Sequence, residues 1–113
     1  MQSIVVVLDS SKLENPDLDI IYSLPDRAEE LTGKAVQDNG YRYLDKAGRS
    51  IGIWLKTEAP DIWWPKVVEL LKTERFCEND LSESALVLIS GEENAEIEIC
   101  RQVYPELCRS EVL

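Results

Sequence analysis

The stretch SIGIWLKTEAPDIWWPKVVELLKT, residues 50–73, reads as a strand followed at once by a helix. From Ser50 to Lys56, Ile51, Ile53 and Leu55 fall on one face and Gly52, Trp54 and Lys56 on the other. That is the two-residue alternation of a pleated strand. From Ala59 to Thr73 the period changes. Trp64, Val67, Val68 and Leu71 recur at steps of three and four, the spacing of a helical stripe that faces a core. Pro60 and Pro65 are expected near the first turn, where a missing N–H costs little.

Upstream, Ser3 to Asp9 encloses an unbroken apolar run, expected of a buried strand. Asn15-Pro16 is a helix start, a capping residue followed by proline. Leu18, Ile21, Leu24 or Pro25, Ala28 and Leu31 then share one helical face, and Gly33 is the expected C-cap. Pro25 inside this run predicts a kink, or two short helices with a restart near Ser23. Asn39-Gly40 predicts a tight turn before a short strand, Tyr41 to Leu44. Asp45 to Gly48 is the next turn, and Lys34 to Gln37 is expected to add an edge strand.

Downstream, Glu74 to Ser84 is polar and irregular, and Ala85 to Ser90 is a second continuous apolar strand. Gly91 to Asn94 predicts a hairpin loop. Ala95 to Tyr104 alternates, with Ile97, Ile99 and Val103 opposite Glu96, Glu98 and Gln102, which predicts a half-exposed strand ended by Pro105. Residues 106–113 are expected to fray. The order is β-α-β-β-α-β plus one additional C-terminal strand. It resembles the ferredoxin-like two-layer sandwich, an α+β fold whose antiparallel sheet carries two helices on one face. Residues 1–113 are expected to form a single domain.

Composition narrows the chemistry. The chain has 113 residues, 22 acids, 12 bases and a formal charge of −10. Its apolar content of 44% is too high for a disordered chain. It has no basic leader and no apolar stretch near the roughly 20 residues of a membrane span, so a cytoplasmic setting is expected. Cys77, Cys100 and Cys108 form neither a disulfide framework nor a metal motif. There is no histidine, so histidine acid–base, triad and metal-ligand chemistry are excluded. Glu29-Glu30, Glu92-Glu93 and Glu96/Glu98 are the densest carboxylate groups, each expected in solvent. Asp17 and Asp19 open like a calcium loop, but Ile21 and Tyr22 break the pattern. The five glycines are too scattered to cradle phosphate. No catalytic residue, cofactor or metal is expected.

Charge layout and aromatics remain. Residues 1–30 hold seven acids and two bases, residues 31–73 five and seven, and residues 74–113 ten and three. Two acidic ends suit a basic protein partner and repel nucleic acid. Three tryptophans accompany a single phenylalanine. Trp54 lies opposite the apolar face of its strand and Trp63 on the flank of its helix, so both are expected to be partly exposed, with Tyr41 and Tyr43 nearby. Such residues are typical interface anchors. The expected binding set is Trp54, Trp63, Tyr41 and Tyr43 with Glu92, Glu93, Glu96 and Glu98.

Small size, acidity and missing catalytic residues together resemble the immunity proteins that bacteria pair with toxins, many of them acidic because their toxins are basic nucleases. The stretch Glu14 to Asp19 followed by Leu24-Pro25-Asp26 is also similar to a small family of uncharacterised bacterial proteins. The first resemblance implies a partner-binding inhibitor that occludes a basic protein surface. A regulatory domain that binds a small molecule as a homodimer is the alternative, and an enzyme using carboxylates or Cys77 a third.

Overall fold

The computed structural model describes residues 1–9, 19–44, 50–76, 79–81, 85–93 and 96–104. Strand β1 (Gln2–Asp9) leads to helix α1 (Ile20–Thr32), then to strands β2 (Val36–Tyr43) and β3 (Ser50–Thr57). Helix α2 (Pro60–Thr73) follows, with the two-residue strands β4 (Arg75–Phe76) and β5 (Asn79–Asp80) paired just after it. Strand β6 (Ala85–Ser90), a 3₁₀ turn (Ile97–Ile99) and strand β7 (Arg101–Tyr104) complete the order.

The main sheet has five antiparallel strands in the order β2-β3-β1-β6-β7. β3 lies between β1 and β2, and β1 lies between β3 and β6. Two β-α-β units thus interleave, and β7 adds an edge beside β6. The arrangement is α+β in two layers, as the sequence pattern implies.

One sheet face carries the core. Ile4, Val6, Leu8, Ile51, Ile53, Leu55, Val87 and Ile89 pack there against both helices. α1 contributes Ile20, Ile21, Leu24 and Ala28, and α2 contributes Val67, Val68, Leu70 and Leu71. Arg27 Nε joins the helices by donating to both carboxylate oxygens of Glu74, at 2.8 and 3.0 Å. Leu31, expected on the α1 stripe, lies in the last turn and is exposed.

Four expectations are corrected. Pro25 does not divide α1, which is continuous from Ile20 to Thr32. The missing N–H removes one bond to the Ile21 carbonyl, but Leu24, Pro25 and Ala28 are all buried, and their packing outweighs that loss. Pro65 lies past the first turn of α2, inside the helix. Asn39-Gly40 is no tight turn. The two short strands expected around it are one strand, β2, and the register on β3 shifts between Asp38 and Tyr41. Gly40 takes φ +88° at this bulge, where an L side chain would be strained.

The fourth correction concerns Ala95 to Tyr104. Among its described residues, 96–104, only Arg101–Tyr104 is strand, and Ile97–Ile99 is a 3₁₀ turn. A helix of three residues per turn aligns positions i and i+3. Ile97 and Cys100 therefore both face the outer side of the sheet, where they pack on a second cluster of Val5, Trp54 and Leu88. Ile99 points away and is 55% exposed. The segment crosses the outer face as a strap. The helix start at Asn15-Pro16, the turn at Asp45 to Gly48 and the C-terminal tail lie outside the described residues.

Candidate partner-binding surface

The expected aromatics have different fates. Trp54 is buried, at 3% exposure, so it is not available to a partner. Its ring lies across Gly52: a Cβ there would stand 2.5 Å from the ring's Cζ3 and 2.9 Å from Cη2. Val5 and Leu88 flank the ring, and Leu44, Ile97 and Cys100 pack against the same cluster. The Arg42 guanidinium covers it, 4.3 Å from the ring centroid, a cation–π contact. β3 alternates as its sequence implies, but its outer face is covered by the strap instead of solvent. Trp63 is half-buried at the edge of the helix-side core, as is Trp64. Trp63 also lines an open cleft of about 340 Å³ with Lys34, Thr57 and Glu58.

Tyr41 and Tyr43 are exposed, at 42% and 50%, and a third ring joins them: Tyr22 of α1, at 59%. Tyr22 and Tyr41 meet edge to face with centroids 6.5 Å apart, and Tyr41 and Tyr43 do the same at 6.1 Å. Such contacts suit the ring quadrupoles. On β2, Tyr41 and Tyr43 pair with Ile53 and Ile51, so they sit on the helix side of the sheet. Arg42, between them, is turned to the other face. Tyr22 escaped the sequence reading. The signal was its place one residue past the α1 stripe, between Ile21 and Leu24, where a large ring has no core to enter.

Carboxylates line this aromatic run. Tyr22, Asp26 and Glu29 follow the i, i+4, i+7 spacing of one helical face. Glu29 Oε2 accepts the Asp38 backbone N–H at 2.9 Å, which sets Glu29 and Asp38 side by side. Three tyrosines and three carboxylates therefore share the α1–β2 side of the molecule.

The expected glutamates lie elsewhere. Glu92 and Glu93 follow β6, beyond the sheet end where Ser3 pairs with Ser90. The Ser3 hydroxyl donates to the Glu92 carbonyl at 2.6 Å, and the Glu93 carboxylate is 3.7 Å from the Met1 amine. Tyr41 and Tyr43 lie toward the opposite end of the sheet. Glu96 pairs with Arg42 at 3.4 Å on the outer face, and Glu98 is exposed on the strap. The structure thus joins Tyr41 and Tyr43 but does not join them to Trp54, Trp63 or the four glutamates.

Among the described residues, no three His, Cys, Asp or Glu side chains cluster as metal ligands. Of the cysteines, Cys77 and Cys108 lie outside the described residues. The Cys100 Sγ–H donates to the Glu96 carbonyl at 3.3 Å. Partial burial, then the charge of Glu98, pushes its thiol above the ordinary value of 9.0. The folded chain holds this proton more tightly than the unfolded chain does. Its effect on stability is therefore nil at neutral pH and becomes unfavourable as pH rises past the unfolded thiol's value. Alkylation of Cys100 in the native protein, followed by peptide mass spectrometry across pH 7–10, is expected to lag behind the same peptide in urea.

Compared with known proteins, the chain matches no family model, no curated protein and no solved structure. No helix among the described residues is long and apolar enough to cross a membrane.

Proposed function

We propose that the chain is a non-catalytic protein-binding module that occludes a basic protein surface, with Tyr22, Tyr41 and Tyr43 as its anchors. The observation that carries this reading is the run of three exposed tyrosines on an acidic chain, Tyr22 against Tyr41 and Tyr41 against Tyr43. Tyrosine brings large contact area at low entropic cost and is enriched among interface residues that dominate affinity. Asp26, Glu29 and Asp38 beside the rings supply charge for lysine or arginine, and the net charge of −10 favours encounter with a cationic partner. In this reading the binding face differs from the expected one, while the partner class, a basic protein, stays the same. The protein works in the cytoplasm, where Cys100 remains a thiol, in the manner of an immunity-type inhibitor.

The test is affinity capture from native lysate with three baits: wild type, Tyr41→Ala/Tyr43→Ala, and Glu92→Gln/Glu93→Gln. The expected result is a basic protein held by wild type, released at high salt, still held by the glutamine variant and lost by the tyrosine variant. Once the partner is purified, the tyrosine variant should bind at least about 30-fold more weakly, the equivalent of roughly 2 kcal/mol at a dominant contact. Retention by the folded tyrosine variant at wild-type affinity would overturn the reading.

A further inference from the structure

β2 is an outer strand of the sheet, and its free side changes character along its length. A strand in an antiparallel pair turns the N–H and C=O of alternate residues toward its partner and those of the others outward. In the first half of β2 the outward N–H groups are capped by side chains. Val36 N–H donates to Thr32 Oγ1 at 3.1 Å, Asp38 N–H to Glu29 Oε2 at 2.9 Å, and Gly40 N–H to Asp38 Oδ1 at 2.9 Å. In the second half the phase is set by Leu44, whose N–H donates to the Ser50 carbonyl beside it at 2.8 Å. Arg42, two residues back and opposite Gly52, is therefore turned toward β3, and Tyr41 and Tyr43 turn both N–H and C=O outward. Among the described residues neither tyrosine N–H meets an acceptor. The donors of this edge are thus taken over its first half and free at Tyr41 and Tyr43.

We propose that the open end of β2 takes an extended basic segment of the partner as an added antiparallel strand, paired with Tyr41 and Tyr43 and carrying Arg or Lys at two positions one residue apart. The inference rests on the tyrosine-face reading and gives its partner a shape. A partner residue opposite each tyrosine would exchange an N–H···O pair with it, the closely bonded pair of an antiparallel ladder. Residues opposite each other share a sheet face. Both side chains would therefore stand on the helix side, beside Tyr41, Tyr43 and the Tyr22 ring that meets Tyr41. That face suits cations. Ring faces attract them, and Asp26 and Glu29 lie along α1 from Tyr22, with Asp38 beside Glu29. The residue between the two cations would face the outer side beside Arg42, which already pairs with Glu96 at 3.4 Å, so that position suits an uncharged residue. Charge also argues against a second copy as the occupant. Tyr41 to Tyr43 paired with itself would set Arg42 opposite Arg42 and join two chains of charge −10. The capped donors confine the pairing to this end, because a longer strand would have to displace Thr32, Glu29 and Asp38.

The test titrates the full chain with three acetylated, amidated peptides. The first is Thr-Thr-Arg-Thr-Arg-Thr-Thr, whose arginines share a strand face. The second, Thr-Thr-Arg-Arg-Thr-Thr-Thr, has the same composition but puts its arginines on opposite faces. The third repeats the first with the main-chain nitrogen of both arginines methylated, which removes the donors that would face β2 and keeps the charge. Amide NMR gives affinity and location, and hydrogen exchange reports pairing. The first peptide should bind and protect the Tyr41 and Tyr43 amides, which should exchange quickly in the free protein. The other two should bind at least about 10-fold more weakly. Equal binding by the second peptide would overturn the alternating pattern. Equal binding by the methylated peptide, or a bound first peptide that leaves both amides unprotected, would overturn strand addition while leaving the rings as a side-chain docking surface. Tyr41 and Tyr43 amides already protected without peptide would overturn it too, and protection that grows with protein concentration would show a second copy on the edge. So would no binding of the first peptide up to about 5 mM, a result on which partner capture through the tyrosine rings does not depend.

Discussion

Trp54→Ala is expected to lower folding stability by about 3–5 kcal/mol, the range for deleting a buried aromatic. The ring is the centre of the outer-face cluster, and its removal leaves Val5 and Leu88 open beneath the strap. It also strips Arg42 of its aromatic partner, a contact worth about 0.5–2 kcal/mol by itself. Ile97 and Cys100 would then have little to pack on, so the strap should loosen along with the loss of stability. Trp54→Phe keeps part of the buried surface and should cost distinctly less. Urea denaturation followed by far-UV circular dichroism measures both variants. A loss below about 1 kcal/mol for Trp54→Ala would mean that the outer-face cluster lies outside the cooperative core.

Leu24→Ala is expected to cost about 2–5 kcal/mol, for a different reason. Apart from Gly33, its left-handed C-cap, α1 has little local support. Its Asp19 N-cap makes no side-chain cap bond, its first turn has no acid, its last turn has no base, and Pro25 sits inside it. An isolated helix of 13 residues is marginal in water even with good residues. The helix persists because Ile20, Ile21, Leu24, Pro25 and Ala28 are buried on the sheet. Leu24 is fully buried at the middle of that set. Total stabilities of small domains run about 5–15 kcal/mol, so this one change could remove a third or more. Leu31→Ala is the control. Its side chain is exposed, and its effect should stay within about 0.5 kcal/mol. Equal costs for the two leucines in urea titrations would refute the packing account of α1.

The strand-to-helix passage at residues 50–73 is legible from period alone, because Ile51, Ile53 and Leu55 alternate and Val67, Val68 and Leu71 do not. With β1 and β6, whose apolar runs are continuous, it determines the layered order. The misread places share a cause. Asn39-Gly40 satisfies a turn and a bulge equally well at the level of the dipeptide, and only the β3 partner decides between them. Ile97, Ile99 and Val103 alternate like a strand, yet what governs residues 97–100 is a sheet face distant in sequence that has Trp54 at its centre. Period describes one element at a time and carries no information on what a second element lays across it. The same holds for the binding face. Tyr41 and Tyr43 could be picked out singly, but their meeting with Tyr22 depends on how α1 lies beside β2.

The ring of Trp54 occupies the space that a side chain at position 52 would need. Gly52 and Trp54 therefore form one unit of inheritance. A lineage that enlarges residue 52 must shrink residue 54 or abandon the strap, and one that loses the tryptophan is released from glycine. Among relatives of this chain the two positions should change together, and chains with a larger residue at 52 should carry a smaller one at 54.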